Sequence, residues 1–122
     1  MQFSQWGSEP SSTGFDTEKL LDIAKSTVDL PSGFNVHPRL KKMFIDSRLK
    51  SIGNETFDWA TGEAAAFGSL AQEGYNVRLV GEDSERGTFS QRHCVFTDQV
   101  TSEAYRPLLQ SSYMESTAKG RL

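Results

Sequence analysis

A single cysteine, Cys94, stands among the 122 residues. One thiol cannot close an internal disulfide, so the chain depends on packing and hydrogen bonds, as fits a reducing compartment. Histidine is nearly as scarce, with only His37 and His93, and no zinc-type Cys/His spacing occurs. No apolar run is long enough to cross a bilayer. The opening MQFSQWGSEP has neither the basic start nor the apolar stretch of a secretory signal. Positive charge is not in excess either. Lys and Arg number 13 against 16 Asp and Glu, giving a net charge of −3, which argues against a nucleic-acid surface. Apolar residues make up 36% of the chain and the mean hydropathy is −0.50. That is a thin supply for a core and room for one small domain. Internal repeats, Gly-rich phosphate loops and G-x-S-x-G elbows are all missing.

What is present reads in order. Residues 1–15 are polar and form a linker or arm, in which Phe3 and Trp6 either dock on a neighbouring surface or belong to a frayed end. Asp16 caps a helix through Ser26, with Leu20, Ile23 and Ala24 inward, and Leu30-Pro31-Ser32-Gly33 ends it. Pro38 suits a first helical position, so a second helix is predicted from there to Ile52, with Gly53 as its stop. Leu40, Phe44 and Ser47 lie on one face of it, and Ile45, Leu49 and Ile52 on the next. His37 reads as a loop or cap residue. Arg39, Lys41, Lys42, Arg48 and Lys50 against Asp46 make either a solvated face or a docking surface for an acidic partner. Residues 16–53 thus form a helical connecting segment.

The organising stretch lies between Phe57 and His93. Asp58 is a good N-cap, and Glu63 adds negative charge near the helix's positive end. Ala60, Ala64, Phe67 and Ala71 recur at helical spacing, predicting a helix from Trp59 to Glu73. Ala64, Ala65, Ala66 and Gly68 would let a neighbouring backbone come close. Gly74 stands where a helix turns left-handed and stops. Tyr75 to Val80, bounded by glycines, predicts a buried strand over Val77 to Val80. After it comes GEDSERGTFSQRH, a polar loop at a strand's carboxyl end, the usual ligand side of an open α/β sheet. Gly87 marks a turn closed to other residues. Arg86 and Arg92 either fork onto a carboxylate ligand or pin the loop to Asp83 or Glu85. Beyond it, Cys94 to Phe96 is a strand or a short helix, Thr97 to Glu103 is turn-like, and Ser111 to Leu122 shows no firm pattern. A hydrolase built on His93 and Cys94 is weak, since neighbours in an extended strand point to opposite faces.

DWATGEAAAFGSL, EGYNVRLVGEDSERGTFSQRH and the run from Tyr105 to Leu108 resemble the E1 component of the 2-oxoglutarate dehydrogenase family. The Gln91-Arg92-His93 ending and Ser47-Arg48-Leu49 are nearer its 2-oxoadipate-type paralogue. The resemblance implies an α/β fold: part of a transketolase-like pyrimidine-binding domain with a parallel sheet, residues 54–122 forming its N-terminal portion. It further implies thiamine diphosphate and Mg2+ as cofactors, a 2-oxo acid substrate, an E1 homodimer partner and a lipoyl-bearing E2 component. The Mg2+ site and the glutamate that activates the cofactor are expected outside residues 1–122, so the chain alone is expected to be inactive. A eukaryotic member is expected in the mitochondrial matrix, a bacterial one in the cytoplasm.

Carried over residue by residue, the resemblance assigns Glu82 to cofactor contact, where a carboxylate can hydrogen-bond the cofactor or join a proton relay. The bland alternative is a loop acid that is solvated or paired with Arg86. His93 ends the RGTF-x-x-RH run and is the candidate catalytic residue. Histidine as a residue type titrates near neutrality, so one here can bind a substrate carboxylate or move a proton, or serve structure alone. The rival to the whole reading is a non-catalytic module used for subunit packing.

Overall fold

The computed structural model describes residues 14–87, 91–117 and 119–120. The N-terminal arm with Phe3 and Trp6, and the Thr88-Phe89-Ser90 part of the loop motif, lie outside the described residues. Helices dominate. The order is α1 (Thr17–Ser26), α2 (Pro38–Leu40), a π-helical segment (Lys41–Asp46), α3 (Ser47–Gly53), α4 (Trp59–Gln72), β1 (Phe96–Thr97), β2 (Ala104–Tyr105), α5 (Pro107–Gln110) and α6 (Ser112–Thr117).

The caps read from the sequence are in place. Asp16 accepts from Lys19 N at 3.0 Å and Asp58 accepts from Thr61 N at 2.7 Å, each satisfying an otherwise orphaned helical N–H. His37 caps α2, its Nδ1 accepting from Arg39 N at 3.1 Å. At the end of α4, Gly74 takes φ 97°. Its N–H donates to Ala71 O, and that of Tyr75 to Leu70 O. These paired bonds close the helix in a Schellman arrangement, which needs a residue free to turn left-handed.

The expected Pro38–Ile52 helix forms, but its middle turn is π rather than α. Helical dihedrals run through Leu40, Lys41, Asp46 and Ser47 without a break. Ile45 and Ile52 are buried, and Leu40 and Phe44 pack against the core, whereas Leu49 of the second expected face is exposed. Arg39, Lys41, Lys42 and Lys50 are exposed, as a solvated face would be. Arg48 is not; it is buried at 6% exposure and belongs to the interior.

Two clusters make the core. One joins Ile23 of α1, Ala64 and Ala71 of α4, Leu108 of α5 and Met114 of α6, with Phe15, Phe67 and Tyr113 at its edge. The small-residue face of α4 is what admits α1: a Cβ on Gly68 would collide with the Ile23 side chain. The other cluster gathers Val28, Ile45 and Phe96, flanked by Leu30, Phe34 and Val36. Burying such side chains contributes about 1.5–3 kcal/mol each.

The sheet departs from expectation. In place of a parallel sheet, the described residues hold one antiparallel pair, Phe96 opposite Tyr105 and Thr97 opposite Ala104. Residues 75–80 are not a strand. Val80 is 75% exposed, and the segment joins no ladder among the described residues. A strand is defined by a neighbour that takes its backbone bonds, and sequence pattern alone does not supply one. The two-residue periodicity survives in side-chain burial: Val77 and Leu79 are half-buried while Arg78 and Val80 are exposed. Residues 112–117, where no pattern was read, form α6, and Met114 is fully buried. The N–H groups of Lys119 and Gly120 donate to Ala71 O, tucking this end against the close of α4.

Candidate functional site

The loop after residue 80 is a tight turn held by its own backbone. Arg86 N and Gly87 N both donate to Asp83 O, at 3.1 and 2.6 Å. Asp83 takes φ 51° and Gly87 φ 85°, left-handed conformations that glycine adopts freely and aspartate at some cost. The turn's carbonyls then receive the returning chain. Arg92 N (2.8 Å) and His93 N (3.1 Å) donate to Arg86 O, and Cys94 N donates to Glu85 O at 2.8 Å. His93 is itself left-handed at φ 39°. Residues 83–87 and 92–94 therefore form one clamped unit.

Glu82, the expected cofactor contact, opens this unit. Its side chain is exposed, and among the described residues it has no ion-pair partner. The bland pairing with Arg86 does not occur; Arg86 instead stands 3.9 Å from Asp83, both side chains more than half exposed. His93 is half-buried, its imidazole edge-on to Phe44 with ring centroids 4.6 Å apart. The Phe44 ring lies below the Arg48 guanidinium, 4.3 Å from centroid to Cζ. Arg48 also donates to Thr27 Oγ1 at 3.2 Å. Burial pulls its pKa down, and the carboxylate of Asp58 opposes that shift. Burial also pushes Asp58 upward, but hydrogen bonds from Thr61 and the nearby Arg48 cation outweigh it and leave Asp58 below the usual carboxylate value.

Arg92 does not pin the loop to Asp83 or Glu85. Its Nε and Nη2 bond the two oxygens of Glu63 on α4, at 2.6 and 3.2 Å, while Nη1 donates to Ser84 O at 3.0 Å. The Glu63 hydrogen bond raises the Arg92 pKa above its ordinary value. Cys94 points its thiol at the Ser84 and Glu85 carbonyls, and burial pushes its pKa up, which suits a structural thiol rather than a nucleophile. Its side chain also borders a cavity of about 230 Å³ between α4 and the clamped unit, walled by Phe67, Val77, Leu79 and Val95 with Arg78, Ser84, Glu85 and Arg106 as polar groups. A more open hollow of about 380 Å³ runs along Gly81, Asp83 and Arg86. Glu82 lines neither. No group of three or more His, Cys, Asp or Glu that could hold a metal occurs among the described residues. No helix among them is long and apolar enough to cross a membrane.

Three structural contacts are not evident from the sequence pattern. Glu63 with Arg92, 29 positions apart, left no local signal. The burial of Arg48 had one, since Phe44 precedes it by four residues and such pairs meet on a helix surface. Asp98 had one as well, standing three residues before Thr101 in a turn-like stretch where an aspartate carboxylate captures backbone N–H groups.

A helical domain with a clamped polar turn at the head of a capped, small-residue helix has a match among known families. Residues 55–116 match the model described as "Transketolase, pyrimidine binding domain". The chain belongs to that family. Among individual proteins it is similar to a "Probable 2-oxoadipate dehydrogenase complex component E1 homolog" of Dictyostelium discoideum, 48% identical over 96 residues, covering 79% of this chain and 11% of that protein. The "2-oxoglutarate dehydrogenase, mitochondrial" of the same organism is 48% identical over 99 residues, 81% of this chain and 10% of the relative. The "2-oxoadipate dehydrogenase complex component E1" of Mus musculus is 44% identical over 111 residues, 90% of this chain and 12% of the relative. The chain thus spans about a tenth of the length of the curated relatives it matches.

Proposed function

We propose that this chain forms one wall of a thiamine diphosphate site in the E1 component of a 2-oxo acid dehydrogenase acting on 2-oxoglutarate or 2-oxoadipate. One observation carries the reading. The turn that follows Glu82 and the backbone of His93 are locked together at Arg86 O, within the residues that match the pyrimidine-binding family.

The residues present suit such an edge. Glu82 offers an exposed carboxylate on a rigid turn, able to accept a hydrogen bond or relay a proton. His93 offers an imidazole whose plane is set by Phe44, fit to bind a substrate carboxylate or move a proton. The cavity beside Phe67, Val77 and Leu79 combines apolar walls with the polar groups of Arg78, Ser84, Glu85 and Arg106, a mixture that small-molecule sites use. Thiamine diphosphate, when bound, supplies the electron sink for loss of carbon dioxide from the 2-oxo acid. Mg2+ and the cofactor's pyrophosphate are assigned to parts of an E1 beyond residues 1–122. So are a second E1 copy that completes the site and the lipoyl arm of E2 that takes the acyl group. Residues 1–15 serve as an arm, 16–53 as connecting helices, and 54–122 as the N-terminal part of the pyrimidine-binding domain. The compartment is the mitochondrial matrix in a eukaryote and the cytoplasm in a bacterium.

A second reading, a module used only for subunit packing, draws on large apolar groups left exposed around α4 and the segment after it. Trp59 is 96% exposed, Val80 75% and Tyr75 60%.

Kinetics separate the two. Glu82→Ala in a full-length E1 carrying this segment is expected to lower kcat/KM by about ten- to a hundredfold, the lower end for positioned acid–base groups. Glu82→Gln is expected to retain most activity, since an amide still hydrogen-bonds. Unchanged kinetics in Glu82→Ala would favour the packing module. The 122-residue chain alone, given thiamine diphosphate, Mg2+ and a 2-oxo acid, is expected to show no turnover above the protein-free control. Catalysis needs the whole site in register, and a misplacement of about 1 Å can cost on the order of a hundredfold.

A further inference from the structure

We infer that Arg92 is a positioning residue whose guanidinium fastens the 83–87 turn to α4 and so fixes where Glu82 and His93 stand. The inference rests on the reading of those two residues as site groups.

The geometry divides the guanidinium between two elements. Nε and Nη2 fork onto both oxygens of Glu63, while Nη1 reaches the Ser84 carbonyl inside the turn. Arg92 thus touches the turn with its side chain at Ser84 and with its backbone at Arg86 O. The anchor is firm: α4 is capped by Asp58 and packed against α1 at Gly68. The turn, by contrast, needs restraint. Asp83 and His93 hold left-handed backbone conformations, which persist in non-glycine residues only when their surroundings enforce them. The other ion pair nearby cannot enforce them, because Arg86 and Asp83 are both solvent-exposed and 3.9 Å apart. The Arg92 side chain is only 19% exposed, against 54% for Arg86. Lysine could not replace it, since a compact ammonium lacks the planar fork that serves two acceptors at fixed angles.

Hydrogen exchange and histidine NMR on the 122-residue chain test this with Arg92→Lys, Arg92→Ala and Glu63→Gln. In Arg92→Lys and Glu63→Gln, protection of the Arg92, His93 and Cys94 amides is expected to fall about tenfold or more. Amides of α1 and α4 should keep theirs, and the His93 imidazole signals should shift. Low-millimolar guanidinium should restore part of the lost protection in Arg92→Ala. Should Arg92→Ala fail to fold, the two conservative variants carry the test. Unchanged protection at residues 92–94 in both of them would overturn the proposal, as would an equal loss across α1 and α4. Local loss at 92–94 alongside normal kinetics in Glu82→Ala would uphold the latch while removing the cofactor role from Glu82.

Discussion

Asn35 and Asp98, 63 positions apart, are joined by three hydrogen bonds. Asn35 N donates to Oδ2 at 2.9 Å, and Asn35 Nδ2 spans both carboxylate oxygens at 3.2 Å. Val100 N and Thr101 N donate to Oδ1 from the other side, at 2.8 and 2.9 Å. Gln99 N returns the link to Asn35 O at 2.8 Å. This knot ties the loop before α2 to the turn between β1 and β2, and it closes over the cluster of Val28, Ile45 and Phe96.

Acid should undo that knot. Hydrogen bonds from the Asn35 and Thr101 backbone, with those of Val100, hold the Asp98 carboxyl far below its ordinary value of 3.8. A depressed pKa in the folded state stabilises the fold at pH above the unfolded value and ceases to do so as pH falls through the folded one. The melting temperature should therefore drop more steeply between about pH 4 and pH 2 in the native chain than in Asp98→Asn. Parallel acid profiles in the two proteins would assign the carboxylate no such part.

Two glycines of α4 should answer alanine in opposite directions. A Cβ on Gly68 would strike Ile23 and come within 3.2 Å of Leu108 Cδ2, whereas one on Gly62 would meet nothing within 4 Å. Alanine gains about 1 kcal/mol of helix propensity at either site. Overpacking costs about 1–3 kcal/mol in a filled core and outweighs that gain only at Gly68. Urea midpoints should therefore fall for Gly68→Ala and rise for Gly62→Ala.

Arg48→Lys should destabilise although it keeps the charge. The guanidinium lies over Phe44, its Cζ 4.3 Å from the ring centroid, and donates to Thr27 Oγ1, and a desolvated cation–π contact contributes about 2 kcal/mol. An ammonium keeps only part of it. Chemical denaturation should show a loss of about 1–2 kcal/mol, and the His93 signals should move, because Phe44 is their common neighbour.

What the sequence made legible was local. Asp16, Asp58 and Gly74 announced the ends of α1 and α4 because a cap is a contact between residues two to five positions apart. The clamped turn was legible in outline through Gly87, and the family resemblance located its two candidate site residues. The contacts that fasten it were not. Glu63 finds Arg92, and Asn35 finds Asp98, only after the chain has folded back on itself. The segment of Val77 and Leu79 carried strand-forming residues, yet a ladder needs a partner, and propensity is silent about where one lies. Met114 was overlooked because six residues of helix hold too few turns for a period to show.

The π turn at Lys41–Asp46 gives the helix from Pro38 to Gly53 a phase step. An α-helix advances about 100° per residue, so the wider turn lets one more residue pass before the inward face comes round again. Upstream of the step Leu40 points to the core; downstream Arg48 and Ile52 do. The spare residue works like the extra tooth that lets two gears of different pitch mesh. Removing one residue from 41–43 would shorten the rod by only about 1.5 Å and close the π turn to an α turn, leaving Phe44 four residues before Arg48 and Ile52 on the inward face. Removing a residue between Arg48 and Ile52, outside the π turn, would instead swing Ile52 about 100° off the core.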